Sequence, residues 1–385
     1  MSNNQVRGDM NRVTETAIFV SIVFLPIFLP VSIITLLIGV GCILKEKGCL
    51  LFFIKNKFLV IAILVTIFSV LLSTLFAIDR TRSSLALLGF LLFPLVLFTT
   101  SNFEKEKVIK ALIIGGLVVS IYAVFQWIFD FYPKTHFEIF GKIPVSISGT
   151  AIGLQKTNAI PRFLVMVFPL SIALFYSLKD FSWRFLIAAL LMFGMLALIP
   201  TKPLGGMITF ILLIFLALFL KNWKFGLAFF VVLLIPLLIR PDIPMKLIEG
   251  LTSYTRLKVS VDTWTKFVIP MLKKNPITGC GIGCYTHASR IFGGDFRYMH
   301  NHPHSLYFYS LAETGIIGFL SFFYLIFTSL YFSFKRREKD ILLLGASFAI
   351  MGVLIEGLIT SFIEYLPIGM VFWLVLGIVV SDFKK

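Results

Sequence analysis

Apolar runs of membrane-spanning length recur along almost the whole chain, broken by short basic clusters and by turns carrying proline or glycine. They cover 17–44, 58–78, 83–100, 108–131, 159–178, 185–199, 204–220 and 225–239. After a long polar interval three more follow, at 305–334, 341–364 and 368–380. About 20 apolar residues cross a hydrocarbon core of roughly 30 Å as a helix, the structure that satisfies its own backbone without water. The pattern therefore predicts an all-α, polytopic membrane protein. The run 17–44 is long for one crossing and short for two, and Pro26 and Pro30 predict its break into a hairpin. The count is eleven crossings without that break and about twelve transmembrane helices with it.

The basic clusters give the orientation. Lys335, Arg336, Arg337 and Lys339 share one short turn, and Lys384 and Lys385 end the chain an even number of crossings later, so both groups belong on the cytoplasmic side. Counting backwards places Lys221 and Lys224, Lys179 and Arg184, Lys105 and Lys107, and Lys45 to Lys57 on that side too. Arg7 and Arg12 favour a cytoplasmic N-terminus, which requires the even number of twelve. The chain 1–385 then reads as a single integral membrane domain, with one large external, periplasmic loop over 240–304.

Composition excludes a soluble globular fold: 58% of residues are hydrophobic, 14% are charged, and the mean hydropathy is +0.96. The net charge of +16 follows in part from the cytoplasmic loops and does not imply nucleic acid. No short apolar core with a small-residue cleavage site opens the chain, so the first run is expected to be retained as membrane segment. Cys42, Cys49, Cys280 and Cys284 lack zinc-ribbon spacing and read as structural thiols.

The external loop breaks the charge rule. Arg240, Lys246, Arg256, Lys258, Lys266, Lys273, Lys274, Arg290 and Arg297 outnumber Asp242, Glu249, Asp262 and Asp295, an excess that asks for an anionic partner, with solvated faces or lipid head groups as the plainer reading. Arg256 lies in the amphipathic stretch SYTRLKVSVDTW, from which a guanidinium can grip a phosphate in bidentate fashion. Gly279, Gly281 and Gly283 form a glycine-rich turn whose spacing is not that of a dinucleotide fingerprint. It is either a tight structural turn or a close approach of backbone to a ligand or to another backbone. His300, His302 and His304 cluster at the mouth of the helix that follows. Alternating histidines converge on a metal only in an extended segment, and no carboxylate completes a site. A solvated loop is the second reading. The third is catalysis, since imidazole titrates near neutrality and can act as general base.

His304-Ser305, nine residues, Gly315, two residues and Gly318 resemble the His-[Asn/Ser/Gln]-x9-Gly-x-x-[Gly/Thr/Tyr] pattern of the O-antigen ligase and polymerase superfamily, with His302-x-His304 as its double-histidine form. Arg256, Asn275-Pro276 and the glycines at 279, 281 and 283 are similar to that family's external-loop motif, and Gly149-Thr150 with Asn158 is a weaker echo. The number of helices and the large loop before the histidine helix fit as well. One departure stands out: where the family often carries Ser-Arg-Gly, this chain reads Thr201-Lys202-Pro203-Leu204-Gly205-Gly206, so that Leu204 stands in the arginine's place and Lys202 becomes the nearest cation. Arg162, Arg80 and Arg82, which the topology places at the outer face, are alternative contributors.

The resemblance implies a GT-C-like membrane glycosyltransferase of the inner membrane, working at the periplasmic face without cofactor or metal. It would move a glycan, with inversion, from undecaprenyl diphosphate to a sugar hydroxyl of lipid A-core, as an O-antigen ligase. Extension of the carrier-linked glycan by a polymerase is the runner-up. Arg256, with Lys202 and Arg162, would hold the diphosphate; His304 would take the acceptor proton; His302 would position the acceptor or bind sugar. Glu313, inside the motif, is expected to orient His304 or a lysine. Glu356, a carboxylate in an apolar helix, is a functional candidate of either catalytic or packing type. A transporter of an anionic lipid is the alternative from another class, and its marks, internal symmetry and interrupted helix pairs, are not evident in the sequence.

Overall fold

The computed structural model describes residues 3–47, 57–129, 136–139, 143–146, 159–201, 206, 209, 224, 261–293, 305–336, 340–358, 360–361 and 365–381. Apart from one small hairpin these are helical or in turns. The helices are α1 (Asn3–Phe24), α2 (Leu29–Lys47), α3 (Lys57–Leu75), α4 (Arg80–Ser101), α5 (Lys105–Phe129), α6 (Ala159–Ser177), α7 (Phe181–Thr201), α8 (Ile269–Lys274, continuing a π-helical turn over Thr263–Val268), α9 (Tyr285–Gly293), α10 (Leu306–Arg336), α11 (Ile341–Glu356) and α12 (Leu366–Ser381). Strands β1 (His136–Ile139) and β2 (Ile143–Ser146) pair antiparallel between α5 and α6. The expected crossings at 204–220 and 225–239 lie outside the described residues.

By length and composition α3, α4, α5, α6, α7 and α10 are able to cross a membrane, and α2, α11 and α12 are shorter apolar helices. The protein is a membrane-embedded helical bundle. Its lipid face is visible on α10, where Ile316, Leu320, Tyr324, Phe327 and Tyr331 recur every three or four residues and are all exposed. By contrast, α12 is buried along Pro367 to Val380, as expected of a helix that is apolar on every side. It packs on α4, while α11 packs on α6 and α10 on α3. Small residues permit these close approaches, Gly345 against Ala173 and Gly377 against Thr100. Serine and threonine hydroxyls tie α3 to α10: Ser69 and Ser321 lie 2.9 Å apart, and Ser73 donates to the Glu313 carbonyl at 2.7 Å.

Aspartates start three of the helices. Asp79 accepts from the Arg82 N–H at 3.0 Å, Asp180 from Ser182 at 2.8 Å and Asp340 from Leu342 at 2.9 Å. At the basic end of the bundle Asp340 also pairs with Lys105 at 2.5 Å, joining the turn before α5 to the turn before α11. The opposite end gathers the turn between α3 and α4, the 261–293 segment, the start of α10 and the turn after α11.

Three expectations change. The 17–44 run does break at Pro26, but α1 begins at Asn3, and Glu15 already sits beside Lys107 at 3.0 Å near the start of α5. The hairpin turn rests on Gly115, against Val23 and Pro26. Only ten residues separate Lys105 from Gly115, so at 1.5 Å per residue the turn lies about 15 Å along α5, half of a hydrocarbon core. Next, the apolar run expected to reach 364 stops as a helix at Glu356, where Gly357 turns the chain. Last, the described part of the 240–304 stretch, 261–293, is largely helical, with α8 and α9 packed on one another and α8 on α10.

Candidate functional site

The mouth of α10 is anchored on the end of α11. The Leu306 N–H donates to the Gly357 carbonyl at 2.8 Å, and the buried Ser305 hydroxyl donates to the same oxygen at 3.4 Å. One turn on, the Tyr307 hydroxyl donates to Leu354 O at 3.0 Å. A side chain at position 357 would collide with Leu306 and with the Val353 carbonyl, so the glycine is what lets the two helix ends meet. Glu356 is 4% exposed at this junction, and Arg162, four residues into α6, donates to the Thr360 hydroxyl and lies within electrostatic reach of Glu356. Of the residues expected to bind or react, Arg162 is therefore at the mouth of the histidine helix. His304, His302, Arg256 and Lys202 lie outside the described residues.

Ten residues beyond Ser305, Gly315 adopts φ 63° and ψ −166°, and α10 breaks there. A broken helix leaves carbonyls and N–H groups without intrahelical partners, which must be met inside the protein at membrane depth. The glycine-rich turn meets them. Cys280 N–H donates to Ala312 O at 2.9 Å and Gly281 N–H to Glu313 O at 3.0 Å, while Ile316 N–H reaches Pro276 O at 3.0 Å. Gly279, Gly281 and Gly283 all have positive φ, and a Cβ on each would strike Glu313, Ala77 and Ala86 respectively. The turn thus makes a close approach to another backbone, that of α10 at Ala312 and Glu313.

Glu313 completes the joint. Its carboxylate accepts from Gly283 N–H at 2.9 Å and Tyr285 N–H at 3.1 Å, at the N-terminus of α9. This carboxylate, three per cent exposed, holds the loop to the kinked helix; the expectation that it orients His304 falls on a residue outside the described ones. Below it, Asp79 pairs with Arg82 at 3.6 Å. The Arg82 backbone N–H, aided by the nearby His287 and Arg82 charges, holds the Asp79 carboxyl below its ordinary range. Arg82 is thus engaged locally.

Both cysteines of the turn are buried and free. Burial pushes the Cys280 thiol well up and the Cys284 thiol to about 11, so neither is a thiolate nucleophile at neutral pH. Among the described residues no group of three histidines, cysteines or carboxylates is arranged to hold a metal ion. Sequence reasoning missed the docking of loop into kink, although the four glycines at 279, 281, 283 and 315 were its signal. It also missed Asp79, legible as a cap before an apolar run. The chain matches no protein-family model and no curated protein sequence.

Proposed function

We propose that the protein is a membrane glycosyltransferase of O-antigen ligase type, acting at the end of the bundle where α10 begins. The observation that carries this reading is that two spaced positions of the His-Ser-x9-Gly-x-x-Gly pattern, Ser305 and Gly315, have structural work on the first turns of α10. Ser305 seats the mouth of α10 on Gly357, and Gly315 makes the kink into which the external turn locks. Arg162 and Glu356 stand at the same mouth. The residue before Ser305 in the chain is His304, and on this reading its imidazole would work beside Arg162 and Glu356.

The chemistry asked of these groups is modest because a diphosphate is a good leaving group. Arg162, with Arg256 and Lys202, would stabilise the charge that develops on the diphosphate as the anomeric C–O bond breaks. The acceptor hydroxyl would attack from the opposite face, giving inversion, while His304 takes its proton and His302 positions the sugar. The bond electrons remain on the departing polyprenyl diphosphate, and no metal is required for the balance. On this reading the protein lies in the inner membrane with the site on its periplasmic face.

The test is the lipopolysaccharide banding pattern, with the polyprenyl-linked pool, of a deletion strain complemented with wild type or His304→Ala. Long glycan held on the carrier and missing from lipid A-core in the variant supports the ligase. Single-repeat caps on lipid A-core indicate the polymerase instead. Normal banding with His304→Ala sinks both.

A further inference from the structure

On α10 no position before the kink is exposed, and from Ile316 to Tyr331 every exposed one is apolar or aromatic. Twenty residues separate Ile316 from Arg336 at the basic end, about 30 Å at 1.5 Å per residue, which is the thickness of a hydrocarbon core. Ile316 therefore marks the boundary of the core on the side away from Arg336. The glycine-rich turn is tied to that level, since the Ile316 N–H donates to Pro276 O at 3.0 Å and the Ile317 N–H to Ile277 O at 3.4 Å. Helix α8 comes down to it along α10. Trp264, in the π-helical turn that leads into α8, stacks on Phe308 at 4.8 Å, about two turns above Ile316.

At this boundary stands a patch that is both basic and apolar. Lys273 and Lys274 close α8 and are exposed, and Ile277 beside them is 58% exposed. The Lys274 ammonium lies 5.5 Å from the Phe292 ring, which brings the last turn of α9 alongside, with Arg290 exposed and Ile291 52% exposed. Higher up, Lys266 has Asp262 at 3.2 Å, whereas Lys273, Lys274 and Arg290 have no carboxylate partner among the described residues. Cations that only faced water would need no exposed isoleucines between them. An interfacial surface joins the two, with apolar side chains reaching the acyl region and long cationic ones staying among the head groups. We propose that the ends of α8 and α9 bind an anionic phospholipid of the leaflet away from Arg336, its phosphate among Lys273, Lys274 and Arg290 and its acyl chains beside Ile277 and Ile291. A lipid held there pins the glycine-rich turn at a fixed depth beside the kink. The surface requires only that the bundle sits in a membrane, and stands whether or not the protein transfers glycans.

The test titrates purified full-length protein with phosphatidylglycerol or with phosphatidylcholine of the same chains, and counts bound lipids by native mass spectrometry. Because the opposite, basic end also draws anionic lipid, the reading is the difference between wild type and a triple variant, Lys273→Gln with Lys274→Gln and Arg290→Gln. Each basic side chain at the surface is worth about fivefold in affinity for an anionic lipid, so the variant should need at least about tenfold more phosphatidylglycerol to load its last lipid. Phosphatidylcholine retention should not change, and excess inorganic phosphate should not displace the lipid. Equal phosphatidylglycerol retention by the two proteins, an equal loss of both lipids, or displacement by inorganic phosphate overturns the proposal. A second arm needs no variant: one equivalent of phosphatidylglycerol with a photoactivatable group near its ester is cross-linked to wild type, and the sites are mapped by peptide mass spectrometry. Labelling within 273–293 is expected, and labelling confined to the Lys335 end overturns the proposal. No arm measures glycan transfer, so failure here leaves the transferase reading standing, and the converse holds.

Discussion

At the scale of single residues, carboxylates do most of the organising. Glu313→Ala removes the acceptor of two backbone N–H groups at the joint between the glycine-rich turn and α9, and unpaired buried donors cost roughly 1–3 kcal/mol each. We expect a clear fall in thermal stability and faster proteolysis between residues 279 and 293, read by mapping the cleavage sites; unchanged cleavage would contradict the role. Glu356→Gln keeps the shape of the junction but takes a charge from beside Arg162, so transfer should fall while the melting temperature moves little. Equal losses of both would make Glu356 a packing residue. Asp79 carries the pH dependence. Its folded carboxyl is held below the ordinary range, so its stabilising contribution is fully present above that range and is lost as pH falls through the lower folded value. Asp79→Asn should therefore lower the melting temperature near neutral pH, with the difference from wild type shrinking in acid. A constant difference from neutral pH to acid would argue against the ionised cap.

At the scale of elements, the break in α10 and the turn that heals it form one unit. Gly315→Ala forces a Cβ onto the Ile277 carbonyl at a backbone conformation that L-residues avoid, a strain of about 1–3 kcal/mol before the collision is counted. We expect the 276–281 turn to detach and hydrogen exchange at Cys280, Gly281 and Ile316 to accelerate together; isolated exchange at Ile316 would mean the turn stays docked without the glycine. Much of this level was legible in sequence. Proline marked the α1–α2 break, and apolar runs marked the spans. The docking was not, because it depends on contacts between residues some thirty-five apart whose separate spacings say nothing of one another. The start of α1 was hidden for a related reason: the polar stretch from Asn3 joins the helix, and Glu15 finds its partner in Lys107, ninety-two residues away.

At the scale of the whole molecule, one end of the bundle is basic and tied by Lys105 to Asp340, while the other collects the kink, the glycine-rich turn and the α10–α11 junction. Arg162 and Glu356 lie at that far end. Arg162 was legible as a member of that end from crossing parity alone. The most direct measurement is transfer by purified protein, supplied with a glycan on polyprenyl diphosphate and with lipid A-core, following both the lengthened acceptor and the released diphosphate. The expected result is that the two appear in equal amount with wild type, vanish with His304→Ala, and persist in the presence of a metal chelator. Wild-type protein that relocates the lipid-linked glycan without forming a glycosidic bond, or a His304→Ala protein as active as wild type, would contradict the transferase.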